Sequence, residues 1–209
     1  MGKRENFKEG DSKMLVVFEG LDNCGKTTIV EKLKNYYDQQ GVPAEFTREF
    51  ETDVGKLIKK MSQESQLDSI LKSYLFAADR QIRTRMYTDE DYQNKMILFD
   101  RYYHSAVAYR MAEGINKEWV MALNSVFKKP DIGFYIDITP EESVKRNTDT
   151  KFNIIASAEH LSKVRNAYLS FIAEENLIYI DGMRDLESIY NDVLNYIETY
   201  RREKSNKRL

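Results

Sequence analysis

Short apolar runs alternate with longer amphipathic stretches along most of the chain. Met14-Leu-Val-Val-Phe-Glu19 is apolar without alternation and flanked by polar residues, the pattern of a strand buried on both faces. Residues 26–39 place Ile29, Val30 and Leu33 on one face with charges between them, which predicts a helix closed by Gly41. PAEFTR (43–48) predicts a second, weaker strand. A long helix is expected over 64–88, where Leu67, Ile70, Leu71, Tyr74, Leu75 and Ala78 recur at three- and four-residue spacing. MILFD (96–100), IGFYIDI (132–138) and LIYID (177–181) predict three more strands, and 153–175 and 185–203 two more helices. Strands separated by helices throughout imply an α/β domain of three layers: a five-stranded parallel sheet flanked by helices. Ligands of such sheets sit beyond the carboxyl ends of the strands, so the residues just after each strand are the ones to inspect.

Composition narrows the function classes. The 209 residues suit one domain, expected over 13–204, with a flexible polar segment at 1–12 and a basic tail at 205–209. Acidic residues number 34 and basic ones 32, and this balance argues against a nucleic-acid or membrane-surface partner, either of which favours a basic excess. The single cysteine, Cys24, cannot form an internal disulfide, which fits a reducing compartment. The first residues lack the apolar core of a signal peptide, and no apolar run approaches the roughly 20 residues of a membrane span. A cytoplasmic protein is expected.

The end of the first strand carries the strongest signal. Gly20-Leu-Asp-Asn-Cys-Gly25-Lys26-Thr27 satisfies G-x-x-x-x-G-K-[ST] directly after a strand and opens a helix. The glycines permit a path that turns successive N–H groups inward as an anion nest, helped by the positive end of the helix. Lys26 can reach the β- and γ-phosphates of a nucleoside triphosphate, and the Thr27 hydroxyl can hold Mg²⁺. Asn23, Cys24, Gly25 and Thr28 complete the expected ATP-binding stretch; Cys24 reads as a small side chain where only the backbone matters. At the end of the third strand, Asp100 stands where an acid holds Mg²⁺ directly or through water, and Arg101 adjoins it. His104 has no second nitrogen or thiolate ligand nearby and is left without a role.

These segments, with TRE (47–49), YLFAADR (74–80), ILFDRYYHSAVAY (97–109), KPDIGFYIDITPEESVKR (129–146) and VRNAYL (164–169), recur in the order seen in thymidylate kinases. The chain resembles that family from about residue 13 to 182. The resemblance implies a P-loop NTPase fold and transfer of the ATP γ-phosphate to dTMP, giving dTDP, with Mg²⁺ as cofactor. It also implies roles residue by residue. Asp22 contacts the acceptor sugar, Arg48 and Arg101 hold the acceptor phosphate, Phe76 stacks on the base and Arg80 bonds its edge. Ser105 and Tyr109 line the same pocket, with Tyr109 crowding the place of a ribose 2′-hydroxyl. Arg146 and Lys151 come from a lid at about 146–153, so that Asp22, Lys26, Arg101 and Lys151 form the catalytic group. A homodimer is implied by the resemblance alone.

Three departures accompany the match. After TRE the chain reads Phe50-Glu-Thr-Asp53 where the family has Pro and a glycine pair. Arg110 stands where many relatives carry a base-reading glutamine. Lys151 stands where the family has an arginine; a lysine lacks the guanidinium fork, which predicts slower turnover. The alternatives are a kinase for another deoxynucleoside monophosphate or a deoxynucleoside, and a catalytically weak nucleotide-binding protein. Tyr102 after the Asp-Arg pair, where nucleoside kinases usually carry Ser, favours a monophosphate acceptor.

Overall fold

The structure is a computed structural model, and it describes residues 14–64, 66–147 and 157–206. The five apolar runs form five parallel strands: β1 (Met14–Gly20), β2 (Ala44–Arg48), β3 (Met96–Asp100), β4 (Ile132–Asp137) and β5 (Leu177–Asp181). Their order across the sheet is β2-β3-β1-β4-β5, so β1 is central, with the earlier half of the chain on one side and the later half on the other. Arg48 is level with Asp100, Asp100 with Phe18, and Gly20 with Ile136, which brings the carboxyl ends of four strands to one edge. A crevice at that edge, beside the central strand, is where an α/β sheet of this kind holds its ligands.

Helices cover both faces: α1 (Lys26–Gln39), α2 (Asp53–Gln63), α3 (Ser69–Arg85), α4 (Asp89–Asn94), α5 (Tyr103–Ala112), α6 (Lys117–Leu123), α7 (Pro140–Lys145), α8 (Ala158–Phe171) and α9 (Leu186–Asn206). Met14 to Phe18, Ile97 to Phe99 and Phe134 to Ile136 are buried on both faces, and Phe18 stacks on Phe134 at 5.4 Å. Burying one such large side chain stabilises the fold by roughly 1.5–3 kcal/mol, so this sandwich is the rigid support for everything at its edge.

The helix expected over 64–88 is α3, shorter at both ends, and a separate helix, α2, precedes it. Thr52 caps α2 by accepting from the Gly55 amide at 2.9 Å, and Asp68 caps α3 by accepting from the Leu71 amide at 2.7 Å. The second cap starts α3 at Ser69, a few residues later than the apolar spacing placed it. Helix α2 escaped the pattern because it buries only Gly55 and Ile58. The helix expected over 153–175 is described from Ala158, where Ser157 caps it, to Phe171. The expected N-terminal segment lies outside the described residues, as do the lid residues from 148 onward and the last three residues of the tail. Among the described residues, no helix is long and apolar enough to cross a membrane.

Candidate active site

The phosphate loop owes its shape to three residues in the left-handed region: Gly20 at φ 143°, Asn23 at φ 61° and Gly25 at φ 96°. At Gly20 the backbone approaches β4 so closely that a Cβ would lie 2.4 Å from the Ile136 carbonyl oxygen. Such an approach is open to glycine alone. Two bonds tie the loop to α7: Asn23 Nδ2 donates to the Ser143 carbonyl at 3.1 Å, and Ser143 Oγ donates to the Asp22 carbonyl at 2.6 Å. Lys26 is buried, and its Nζ donates to the carbonyls of Gly20 at 3.2 Å and Leu21 at 2.7 Å. The ammonium is therefore drawn across the loop, beside the buried Cys24 Sγ at 3.3 Å. Thr28 is exposed at the start of α1.

Thr27 Oγ1 donates to Asp100 Oδ2, joining the ends of β1 and β3. One residue on, Arg101 also adopts positive φ, 67°, and its guanidinium turns back over the crevice. Nη2 donates to Asp22 and, at 3.4 Å, to the Tyr109 hydroxyl; Nη1 donates to Ser105 Oγ at 3.1 Å. Tyr109 in turn donates to Asp22 Oδ2 at 3.0 Å. Crowding by protein atoms raises the pKa of Asp22, but the charges of Arg101 and Lys26 outweigh it and hold the carboxyl below its ordinary value.

A cavity opens between this knot and α3. Asp22 and Arg101 stand at one part of its wall; Glu49, Phe50, Phe76, Tyr109 and Arg110 contribute much of the rest. Phe50 and Phe76 meet edge to face at 5.9 Å. Behind the wall sits Glu19, fully buried in an otherwise apolar strand. It accepts from the Tyr102 amide at 2.8 Å, from Tyr168 Oη at 2.9 Å and from Ser105 Oγ, and lies 3.3 Å from His104 Nδ1. A carboxylate at the start of α5 suits the positive end of that helix. Burial opposes its ionisation, yet His104, Ser105 and Arg101 together lower its pKa to about 2.

Comparison with known proteins gives the family. The family model described as Thymidylate kinase matches residues 18–193. The chain is 34% identical over 176 residues to the "Probable thymidylate kinase" of Sulfurisphaera tokodaii, covering 83% of this chain and 90% of that protein. It is 34% identical to "Probable thymidylate kinase 1" of Saccharolobus solfataricus, covering 88% and 96% of the two chains. With the "Probable thymidylate kinase" of Thermococcus kodakarensis the identity is 32%, over 89% and 98%. The chain belongs to the thymidylate kinase family.

Of the residues that the thymidylate kinase resemblance singled out, Asp22, Phe76, Arg101, Ser105 and Tyr109 line one cavity. Arg48 does not: half exposed at 49%, it donates to Glu51 Oε1 at 2.8 Å. Arg80 is also not among the lining residues; it is fully buried, with Nη1 on Asn124 Oδ1 and Nη2 on the Tyr102 carbonyl at 3.1 Å. Arg146 pairs with Glu142 at 2.8 Å and donates to the Gly182 carbonyl at 3.3 Å. Lys151 lies outside the described residues. Sequence reasoning missed Glu19, Glu49 and Phe50. Glu49 lines the cavity 3.9 Å from Arg101 Nε, and burial raises its pKa against the pull of Arg101. Its place inside the TRE segment was the signal available. For Glu19 the signal was a charge at the end of a buried strand.

Proposed function

We propose that this thymidylate kinase family member transfers the γ-phosphate of ATP to dTMP, forming dTDP, at the seam between the phosphate loop and the aromatic-walled cavity. The observation that carries the reading is the position of Arg101. Its guanidinium rises from the strand end that holds Asp100 and binds Asp22 of the phosphate loop and Ser105 and Tyr109 of the cavity in one cluster.

Phosphoryl transfer needs charge neutralisation and alignment more than covalent help. In this reading the loop backbone from Gly20 to Thr28 cradles the donor phosphates, and Lys26 leaves its carbonyl partners to meet them. Arg101 holds the acceptor phosphate bidentately, a geometry that its planar fork suits. Asp22 and Tyr109 orient the acceptor sugar, and Phe76 stacks on the base. Arg146 and Lys151 act from the lid, which shields the transfer from water. Thr27 and Asp100 bring a hydroxyl and a carboxylate together, oxygen donors that fit Mg²⁺, an ion that keeps several waters and takes few protein ligands. The ion supplies charge neutralisation at the phosphates when bound. As in the family, the working assembly is read as a homodimer.

The test is a coupled ADP-release assay with Mg²⁺ and ATP over the nucleoside monophosphates and thymidine. Turnover stimulated most by dTMP is expected. Turnover on thymidine but not dTMP would make the chain a nucleoside kinase, and no stimulation by any acceptor would leave a binding protein.

A further inference from the structure

Phe50 and Arg101, both on the cavity wall, hold positive φ, 70° and 67°. A bulky residue keeps that backbone only where its surroundings over-determine it. Behind both lies one buried ion pair on α3, Asp79 with Arg83, each side chain 1% exposed. Arg83 Nε donates to Asp79 Oδ2 at 3.1 Å, and the guanidinium lies over the Phe99 ring at 5.3 Å. Its Nη1 and Nη2 converge on the main-chain carbonyl of Arg101 at 3.4 and 3.5 Å. The other oxygen of the carboxylate, Asp79 Oδ1, accepts from Thr52 Oγ1, the hydroxyl that caps α2. At Gly55 a Cβ would lie 2.6 Å from Phe50 Cα and 2.8 Å from Asp79 Oδ1, so the loop after β2 closes tightly onto the same pair.

A buried ion pair adds little stability beyond what apolar side chains of similar volume would give, because desolvation offsets the attraction. What this pair supplies is direction. The Arg101 amide donates to the Phe18 carbonyl at 3.0 Å, and the Arg83 fork takes the Arg101 carbonyl. With both main-chain groups held, the Arg101 guanidinium leaves the strand end toward Asp22, Ser105 and Tyr109. We propose that Arg83 is a positioning residue of the acceptor site. It holds the main chain of Arg101 in the conformation that aims its fork into the crevice, and Asp79 fixes Arg83 while tying the Phe50 loop to the same brace. Arg83 does not line the cavity, so it acts through Arg101 and not on the substrate. The inference rests on the kinase reading above and deepens it.

The test replaces both charges together, Asp79→Asn with Arg83→Met, so that neither is left buried alone. Melting temperature, kcat/KM for dTMP and KM for ATP are measured with and without Arg101→Lys. The paired replacement should melt within a few degrees of the unsubstituted protein, since a buried pair contributes little net stability. Its kcat/KM for dTMP should nevertheless fall roughly 10- to 100-fold, the scale of a small misplacement of a catalytic group, with the KM for ATP nearly unmoved. In the Arg101→Lys background the same replacement should cost less than about 3-fold, because residues that act as one unit are not additive. An unchanged kcat/KM for dTMP, an equal loss in both backgrounds, or a parallel rise in the KM for ATP would overturn the role of Arg83 while leaving the kinase reading intact. Absence of turnover on every monophosphate in the unsubstituted protein overturns the kinase reading and this inference with it. If the paired replacement does not fold, Arg83→Lys decides, since it keeps a charge opposite Asp79 but has no fork to span to the carbonyl. The same acceptor-side loss supports the role, and unchanged dTMP kinetics overturn it.

Discussion

In the proposed reading, the loop from Gly20 to Thr27 meets its ligand mostly with main chain, whereas the cavity from Glu49 to Arg110 is walled by side chains. The loop is shaped by consecutive residues: positive φ at Gly20, Asn23 and Gly25, and a lysine bonded back to the carbonyls of Gly20 and Leu21. The cavity draws on the loop after β2, on α3, on the strand end at Arg101 and on α5, elements separated by tens of residues. Every nucleoside triphosphate offers the same phosphates, so a local backbone nest suffices on the donor side. An acceptor must be told from its near relatives, and that takes donors and rings aimed from several directions.

The comparison can be broken at the donor side first. Lys26→Ala should lower kcat by roughly 10³-fold, the scale of losing a preorganised charge at the transferring group. It should do so equally for every acceptor, because the loop reads nothing of the base. A steady-state comparison across acceptors checks it, and a loss that differed strongly between dTMP and other monophosphates would erase the division of labour. Next in size is Arg101→Lys, which keeps the charge and removes the fork. We expect kcat/KM for dTMP to fall about 10²-fold, with the KM for ATP nearly unchanged. A parallel loss in ATP affinity would show that Arg101 belongs to the donor side.

The smallest expected effect concerns the support behind the cavity. Burial alone would lower the pKa of His104, but Glu175 and Glu19 outweigh it and raise the value above 6.5. Its contribution to stability is then full below pH 6.5 and is lost as pH rises through the raised value. Glu19 behaves oppositely: with a pKa lowered from 4.5 to about 2, it contributes fully above pH 4.5 and loses that contribution toward pH 2. Melting temperature followed by circular dichroism should therefore fall by a few degrees on raising the pH above 6.5. His104→Asn should remove that fall. Identical curves for the two proteins above pH 6.5 would mean that the imidazole stays neutral in the fold.

The strands were legible to within a residue at each end, β1, β3 and β4 because a parallel strand buried on both faces leaves an uninterrupted apolar run. The start of the helix expected over 64–88 was not, since it depends on the cap of Asp68 rather than on periodicity. The phosphate loop was legible in full, as motif and context are both local. Arg80 and Phe76, four residues apart on one helix, looked alike as base contacts. One lines the cavity and the other is locked beneath it by Asn124, which lies 44 positions away.

By itself the sequence determined the alternation of strand and helix, the phosphate cradle and the set of arginines available to the acceptor. Those are properties of neighbours along the chain, where spacing and backbone freedom act within a few residues. Only the tertiary structure decided which arginines reach the cavity: Arg101 and Arg110 line it, Arg48 turns outward to Glu51, and Arg80 is sealed in. The physical reason is that a guanidinium goes where acceptors and exclusion of water best compensate its charge, and those acceptors are supplied in part by distant elements.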